Sequence, residues 1–272
     1  MAQNEKLQER MKKIKENIKS IKHKLLVMSG KGGVGKSTVA VNLAVALADE
    51  GYNVGLLDID LHGPNVAMML DITGKPEVLE GQILPQEPLP NLKVVSLANF
   101  IEIDVPVIWR GPMKTSAIYQ FLGDVAWGDL DFLVIDAPPG TGDESLTILQ
   151  TIQDIKSILV TTPQNLSAGD VSRAFNFVRS LKKDVVGFVE NMSYLRCPNC
   201  GEKILLFGQG AGDRLSKDYD IPLLESLPFD PQVVVNSDNG KGIVSHMRGS
   251  ELEKSYRRLI KNIFDALEGN GK

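Results

Sequence analysis

Gly30-Lys31-Gly32-Gly33-Val34-Gly35-Lys36-Ser37 follows the apolar run Leu25-Leu26-Val27-Met28 and opens the segment Thr38 to Asp49. The spacing is G-x-x-x-x-G-K-[ST]. Glycines at these places let successive backbone N–H groups turn inward around phosphate oxygens, Lys36 adds a point charge at the β/γ-phosphates, and the Ser37 hydroxyl can hold Mg²⁺. The N-terminus of the following helix favours the same anion. A glycine-rich turn ahead of a helix is the plain alternative. The strand pattern on one side and the helix pattern on the other favour a nucleotide site, with Gly30, Lys31, Gly32, Gly33, Val34, Gly35, Lys36, Ser37 and Thr38 as its binding residues.

Outward from this loop, apolar runs alternate with helical stretches, the pattern of a doubly wound, mostly parallel α/β sheet with helices on both faces. Strands are expected at Leu25–Ser29, Val54–Asp58, Leu92–Leu97, Phe132–Asp136, Ser157–Thr161 and Val185–Glu190. Helices are expected at Ser37–Glu50, Lys114–Leu122, Glu144–Gln150, Ala168–Leu181, Gly212–Asp218 and Glu251–Leu267. Pro76, Pro85, Pro88 and Pro90 make the stretch from Gly74 to Leu92 a surface loop or a hairpin edge. With 272 residues, 43% of them hydrophobic, the chain can bury one sizeable core.

The net charge is −4, yet residues 1–24 carry eight Lys/Arg against three Glu. The rest of the chain is therefore acidic and no obvious nucleic-acid binder. Ile14, Ile18, Ile21 and Leu25 fall at helical spacing, so residues 1–24 read as a basic amphipathic helix lying on a phosphate-loop domain of residues 25–268. A surface for a partner, membrane or nucleic acid is the other use of such a helix. No apolar core of a signal peptide and no apolar run of about 18 residues is present, so a cytoplasmic protein without membrane contact is expected.

Three carboxylates close buried strands. Asp58 and Asp60 end the second strand and Asp136 the fourth, on the side where parallel sheets gather ligands and where a second Mg²⁺-binding acid belongs in phosphate-loop enzymes. A strand-terminal Asp acting only as a cap is the plain alternative. After Asp136, Ala137-Pro138-Pro139-Gly140-Thr141-Gly142-Asp143 forms a loop suited to sensing a γ-phosphate, or simply a tight turn. Asn191 ends the sixth strand and can offer a donor and an acceptor to the N6/N7 edge of adenine. With no Asn-Lys-x-Asp sequence to read guanine, ATP is preferred to GTP. A structural turn residue is the alternative for Asn191.

Cys197 and Cys200, in Cys197-Pro198-Asn199-Cys200-Gly201, are the only cysteines. C-x-x-C reads as metal or cluster ligands, a redox dithiol or incidental thiols. Zn²⁺ and a [4Fe–4S] cluster both commonly take four protein ligands, and the chain supplies two thiolates here. His23, His62 and His246 are scattered and read as structural or solvated. Two chains facing across a twofold axis would supply Cys₄.

These residues together resemble the Mrp/ApbC branch of the deviant phosphate-loop ATPases, the iron–sulfur cluster carriers. The likeness spans roughly residues 20–268 and rests on Gly30–Thr38, Asp58–Asn65, Trp109-Arg110-Gly111-Pro112-Met113, Asp136–Asp143, Asn191-Met192-Ser193 and Cys197–Cys200. It implies that Lys36, Ser37 and Asp136 serve phosphate and Mg²⁺, that Asp60 positions or activates the attacking water, and that Asn191 reads adenine. It also implies that Lys31 acts on the nucleotide of a facing subunit, where a solvated loop lysine is the plain alternative. Cys197 and Cys200 would hold a bridging, labile [4Fe–4S] cluster in a homodimer that hydrolyses ATP slowly and delivers clusters to apo iron–sulfur proteins, with Zn²⁺ possible in protein purified in air. A ParA/MinD-like spatial organiser on membrane or DNA is the alternative, and an electron donor related to the nitrogenase iron protein a third. The organiser's membrane-binding relatives use a C-terminal amphipathic helix. Here that helix carries Glu251, Glu253, Asp265 and Glu268, which favours docking on the domain.

Overall fold

Side-chain alternation sets the architecture. Along β1 (Ile21–Ser29), Leu25 and Val27 enter one apolar cluster while Leu26 and Met28 enter another; along β7 (Leu130–Asp136), Phe132 and Val134 part from Leu133 and Ile135 in the same way. Apolar runs such as Leu25–Met28 and Phe132–Ile135, whose successive side chains point to opposite faces, need cover on both faces. The computed structural model describes residues 2–60, 65–100, 111–238 and 248–269.

The remaining strands are β2 (Val54–Asp58), β3 (Val78–Leu79), β4 (Gln82–Ile83), β5 (Gln86–Leu89), β6 (Leu92–Ser96), β8 (Lys156–Thr161), β9 (Asp184–Arg196), β10 (Lys203–Ile204) and β11 (Leu223–Pro228). Hydrogen-bonded neighbours run β10–β9–β8–β1–β7–β2–β6–β5, with β11 also on β9. From β6 across to β11 the pairing is parallel; β5 on β6 and β10 on β9 are antiparallel. The chain leaves β1 toward β2 and β6, returns to insert β7, and only then builds β8 and β9. That reversal beside β1 is the switch point at which open α/β sheets bind ligands.

The helices are α1 (Ala2–Asn17), α2 (Lys36–Asp49), α3 (Asn65–Met69), α4 (Gly111–Asp124), α5 (Asp143–Thr151), α6 (Asn165–Ser180), α7 (Ala211–Tyr219), α8 (Pro231–Asp238) and α9 (Glu251–Gly269). Helix α2 is buried from Val39 to Ala48, as a helix apolar all round must be. On α9, Leu252, Tyr256, Leu259, Ile260 and Ile263 are buried in the same cluster as α2, so its apolar face is docked on the domain.

Every strand and helix expected from the sequence is present, most within three residues of its expected ends. Asp136 and Ser29 close their strands as expected, whereas β9 runs on to Arg196, past the expected Glu190. The N-terminal reading needs a correction. Helix α1 ends at Asn17, and Ile21 and Leu25 belong to β1, where Ile21 already pairs with Leu130 of β7. A boundary at residue 24 therefore cuts through a strand of the central sheet. The basic helix itself is anchored: Ile14 and Ile18 are buried, Lys13 and Arg10 reach Asp124 at 2.6 and 3.1 Å, and the Asn17 amide donates to Leu122 O and Val125 O. The proline-rich stretch forms the β3–β4 hairpin and the edge strand β5, which carries Pro88. His23 stacks on Phe132 at 5.0 Å between centroids, and burial pushes its imidazole below the ordinary range. His62, His246, Trp109 and Arg110 lie outside the described residues.

Candidate functional site

Three neighbouring strands end together. In the ladder Val27 of β1 pairs with Asp136 of β7, which pairs with Asp58 of β2, so the phosphate loop and the acids share one end of the sheet. Close packing shapes the loop. A Cβ on Gly30 would stand 2.1 Å from the Asp170 backbone of α6, so that helix reaches the loop only over a glycine. Gly35, at φ +79°, occupies the left-handed region and caps α2, and a Cβ there would lie 2.2 Å from Asn191 Nδ2.

The structure brings Lys36, Ser37, Asp60 and Asp136 together. Lys36 Nζ donates to Asp136 Oδ1 at 2.6 Å and to Ser37 Oγ at 3.2 Å, and lies 3.7 Å from Asp60 Oδ2. Asp136 is fully buried and its Oδ2 has no hydrogen-bond partner among the described residues. Burial pushes its carboxyl above the ordinary carboxylate range, against the pull of Lys36. Asp58 turns away from this cluster: its Oδ1 accepts the Asp60 N–H at 2.9 Å and its Oδ2 the Ser96 hydroxyl at 2.7 Å. Burial, helped by the negative charge of Asp136, pushes Asp58 up to about 8.

The loop after Asp136 lies against the phosphate loop, with the Gly140 N–H donating to Ser29 O at 2.9 Å and the Ser29 hydroxyl to Lys31 O at 2.9 Å. A cavity of about 300 Å³ is lined by residues 31–38 with Asp60, Met69, Pro139 and Met192. Half-exposed Lys31 stands on its wall. A smaller apolar recess of about 100 Å³ shares Thr38 and Met192 with it and adds Asn42, Asn191, Phe229 and Tyr256. Asn191 Nδ2 donates to Val34 O at 2.9 Å, so this side chain holds the phosphate loop while bordering the recess.

Cys197 and Cys200 stand apart from that cavity, on a hairpin made by the end of β9 and by β10. The Cys197 N–H donates to Glu202 O at 2.9 Å, and the Gly201 N–H returns to Cys197 O at 2.9 Å. Both thiols are free, Cys197 half-buried and Cys200 exposed. The N–H groups of Cys200 and Asn199, then the Cys200 thiol, point at the Cys197 sulfur and hold it below the usual thiol range. Among the described residues no three His, Cys, Asp or Glu side chains are placed to share a metal, so two thiolates per chain is the count the structure offers.

The profile of the NUBPL iron-transfer P-loop NTPases matches residues 20–264. The chain belongs to this family. The iron–sulfur cluster carrier protein of Pyrococcus horikoshii is 44% identical over 94% of this chain and 90% of its own length, and that of Methanocaldococcus jannaschii is 43% identical over 94% and 89%. Among solved structures, a nucleotide-binding protein of Archaeoglobus fulgidus in complex with ADP, with cobalt, is 39% identical, with a TM-score of 0.76 over 85% of this chain and 92% of that one. The septum site-determining protein MinD of P. horikoshii, with Mg-ADP, superposes with a TM-score of 0.66 at 22% identity over 92% and 98%, a likeness of fold alone. The family expected from the motifs is the family found, and membership in this NTPase family makes the chain a P-loop NTPase of iron–sulfur cluster assembly. No helix among the described residues is long and apolar enough to cross a membrane.

Sequence reasoning missed part of this NTPase site. Phe229 and Asp230 border the recess from the end of β11, a strand the sequence did not announce, and Met192 lines both cavities. Met192 entered the sequence reading only within the motif Asn191-Met192-Ser193, without a role of its own.

Proposed function

We propose that this NTPase is an ATP-dependent carrier that holds a labile [4Fe–4S] cluster between the Cys197 and Cys200 pairs of two identical subunits and passes it to apo iron–sulfur proteins in the cytoplasm. The observation that carries the reading is a single strand. Strand β9 touches the phosphate loop through Asn191 and runs on to Arg196, the residue before Cys197. Two thiolates per chain fit a four-thiolate site only when two chains meet.

At the nucleotide, the N–H groups of residues 32–37 bind phosphate oxygens at the N-terminus of α2. Lys36, which rests on Asp136 in this structure, swings to the β/γ-phosphates as ATP binds. The orphaned, buried Asp136 Oδ2 beside the Ser37 hydroxyl is a donor set that fits Mg²⁺. When bound, that ion supplies charge neutralisation for the β- and γ-phosphate oxygens. Asp60 orients the attacking water, and its backbone is fixed by Asp58. Adenine takes the apolar recess, where Asn191 has its Oδ1 and one N–H left for the base edge after binding Val34. Lys31 extends to the phosphates of the facing subunit and completes the charge there only in the dimer.

Anaerobic reconstitution with iron and sulfide tests the reading. The wild type is expected to take up about four iron and four sulfide per dimer, and the Cys197→Ala/Cys200→Ala variant none. A wild type that binds no iron, with or without zinc at the hairpin, would move the assignment to an ATP-driven spatial organiser with a structural knuckle.

A further inference from the structure

We propose that Met192 is the positioning residue through which nucleotide binding moves the Cys197/Cys200 hairpin. The proposal rests on the carrier reading for what the hairpin holds. Its geometric basis is independent of iron.

Met192 has φ +56°, in the left-handed region that a residue with a Cβ seldom occupies. It sits in a bulge. Along β9 and β11, Glu190 pairs with Ser226 and Tyr194 with Pro228, so four steps on one strand face two on the other. Pairing with β8 stops at Glu190; among the described residues, β9 beyond the bulge pairs with β11 and β10, and its Tyr194 and Arg196 reach Glu251 of α9 at 3.3 and 3.8 Å. The bulge is pinned on three sides: the Ser193 hydroxyl donates to Glu190 Oε1, the Gly212 N–H at the start of α7 donates to Glu190 Oε2 at 2.8 Å, and Asn191 holds Val34. Between these fixed points the half-buried Met192 side chain lines both the phosphate cavity and the recess beside it. Its Cε would be 3.4 Å from a Cβ at Gly35, so the side chain overlies the phosphate loop. Five residues later comes Cys197.

A nucleotide filling both cavities meets this side chain, and the strained bulge is the part of β9 able to answer by changing shape. Residues held away from their preferred φ by their surroundings are where two-state elements are found. Loss of one pin tilts the part of β9 beyond the bulge, and with it the hairpin.

The test reads the thiols of reduced, iron-free full-length protein. Iodoacetamide alkylation of Cys197 and Cys200 is timed without nucleotide and at saturating Mg-ADP or a non-hydrolysable ATP analogue, saturation being established separately for each variant. In the wild type the rate is expected to change at least about fivefold on saturation. Met192→Gly frees the backbone and removes the side chain, and the ratio is expected to fall to about one. Should that variant not fold, Met192→Asn, which tolerates left-handed φ, replaces it with the same expectation. Met192→Leu keeps bulk and strain and retains the ratio. The proposal is overturned by a wild type whose thiols ignore nucleotide, by Met192→Gly or Met192→Asn with the wild-type ratio, or by equal loss in Met192→Leu. Failure of the wild type to load iron would sink the carrier reading and leave this coupling standing.

Discussion

At the residue scale, the paired strand-end carboxylates have different work. Asp136 keeps Lys36 as its partner, whereas Asp58 accepts from a hydroxyl and a backbone N–H and feels Lys36 only as a minor opposing charge. In the unfolded chain Asp58 ionises near pH 4. In the folded protein burial and the charge of Asp136 push its carboxyl up to about 8. Between those limits the native state binds the extra proton, so the stability this group contributes is complete below about pH 4 and is lost as pH rises toward 8. Asp58→Asn mimics the protonated acid and can donate to Ser96. The variant is expected to melt higher than the wild type, with a gap that widens from about pH 5 to about pH 8; a gap that stays constant or narrows contradicts the assignment. Gly35 makes the opposite kind of demand. Gly35→Ala places a Cβ 2.2 Å from Asn191 Nδ2 at a left-handed φ, so it breaks the Asn191–Val34 bond as well as straining the cap of α2. It is expected to lose about 2 kcal/mol of stability, read by denaturant unfolding, together with most of its nucleotide affinity by calorimetric titration. Wild-type affinity in this variant would show that the contact has no bearing on the loop.

At the element scale, the central strands were legible because each contains an apolar run closed by a polar residue, and Val54–Asp58 has the same bounds in sequence and structure. Misreadings arose where one pattern fits two structures. Ile14, Ile18, Ile21 and Leu25 recur every three or four residues, which suits a helix, but Ile21 and Leu25 belong to β1, where they enter different apolar clusters. Strand β11 was hidden because it lies at the edge beside β9, mixes Glu225 and Ser226 among its leucines and ends on Pro228, so neither alternation nor a turn residue marks it. Its loss from the reading also hid Phe229 and Asp230. The contact that joins Asn191 to Val34 spans 157 residues and no spacing rule reaches that far. Helix α1 is a test of how the N-terminal segment is held. Ile14 is 1% exposed and would touch a Cβ on Gly123 of α4 at 3.2 Å. Ile14→Ala is expected to cost about 3 kcal/mol by denaturant unfolding, far more than Lys13→Ala, whose ion pair with Asp124 is partly exposed. Equal costs would mean that charge, and not the apolar stripe, fixes α1.

At the scale of the whole molecule, the proposed carrier needs two chains at both sites: the hairpin of one chain has two thiols, and the phosphate cavity has its own Lys36 and Asp60, with Lys31 on its wall. If Lys31 serves the facing subunit, two dead variants complement each other when mixed. Lys31→Ala chains keep Lys36 and Asp60 but give nothing to a partner; Asp60→Asn chains cannot orient water but still offer Lys31. In a mixed dimer the site on the Lys31→Ala chain receives its lysine from the Asp60→Asn chain and works, while the other site does not. Equal amounts refolded together pair at random, so half the dimers are mixed and roughly a quarter of all sites turn over ATP. A lysine acting within its own chain gives a different result, because every site in the mixture then lacks either Lys31 or Asp60 and activity stays at the level of the separate variants. Phosphate release from the mixture, measured against each variant alone at the same total concentration, separates the two. Recovery places the catalytic unit in the dimer, the same assembly that the proposed four-thiolate cluster calls for.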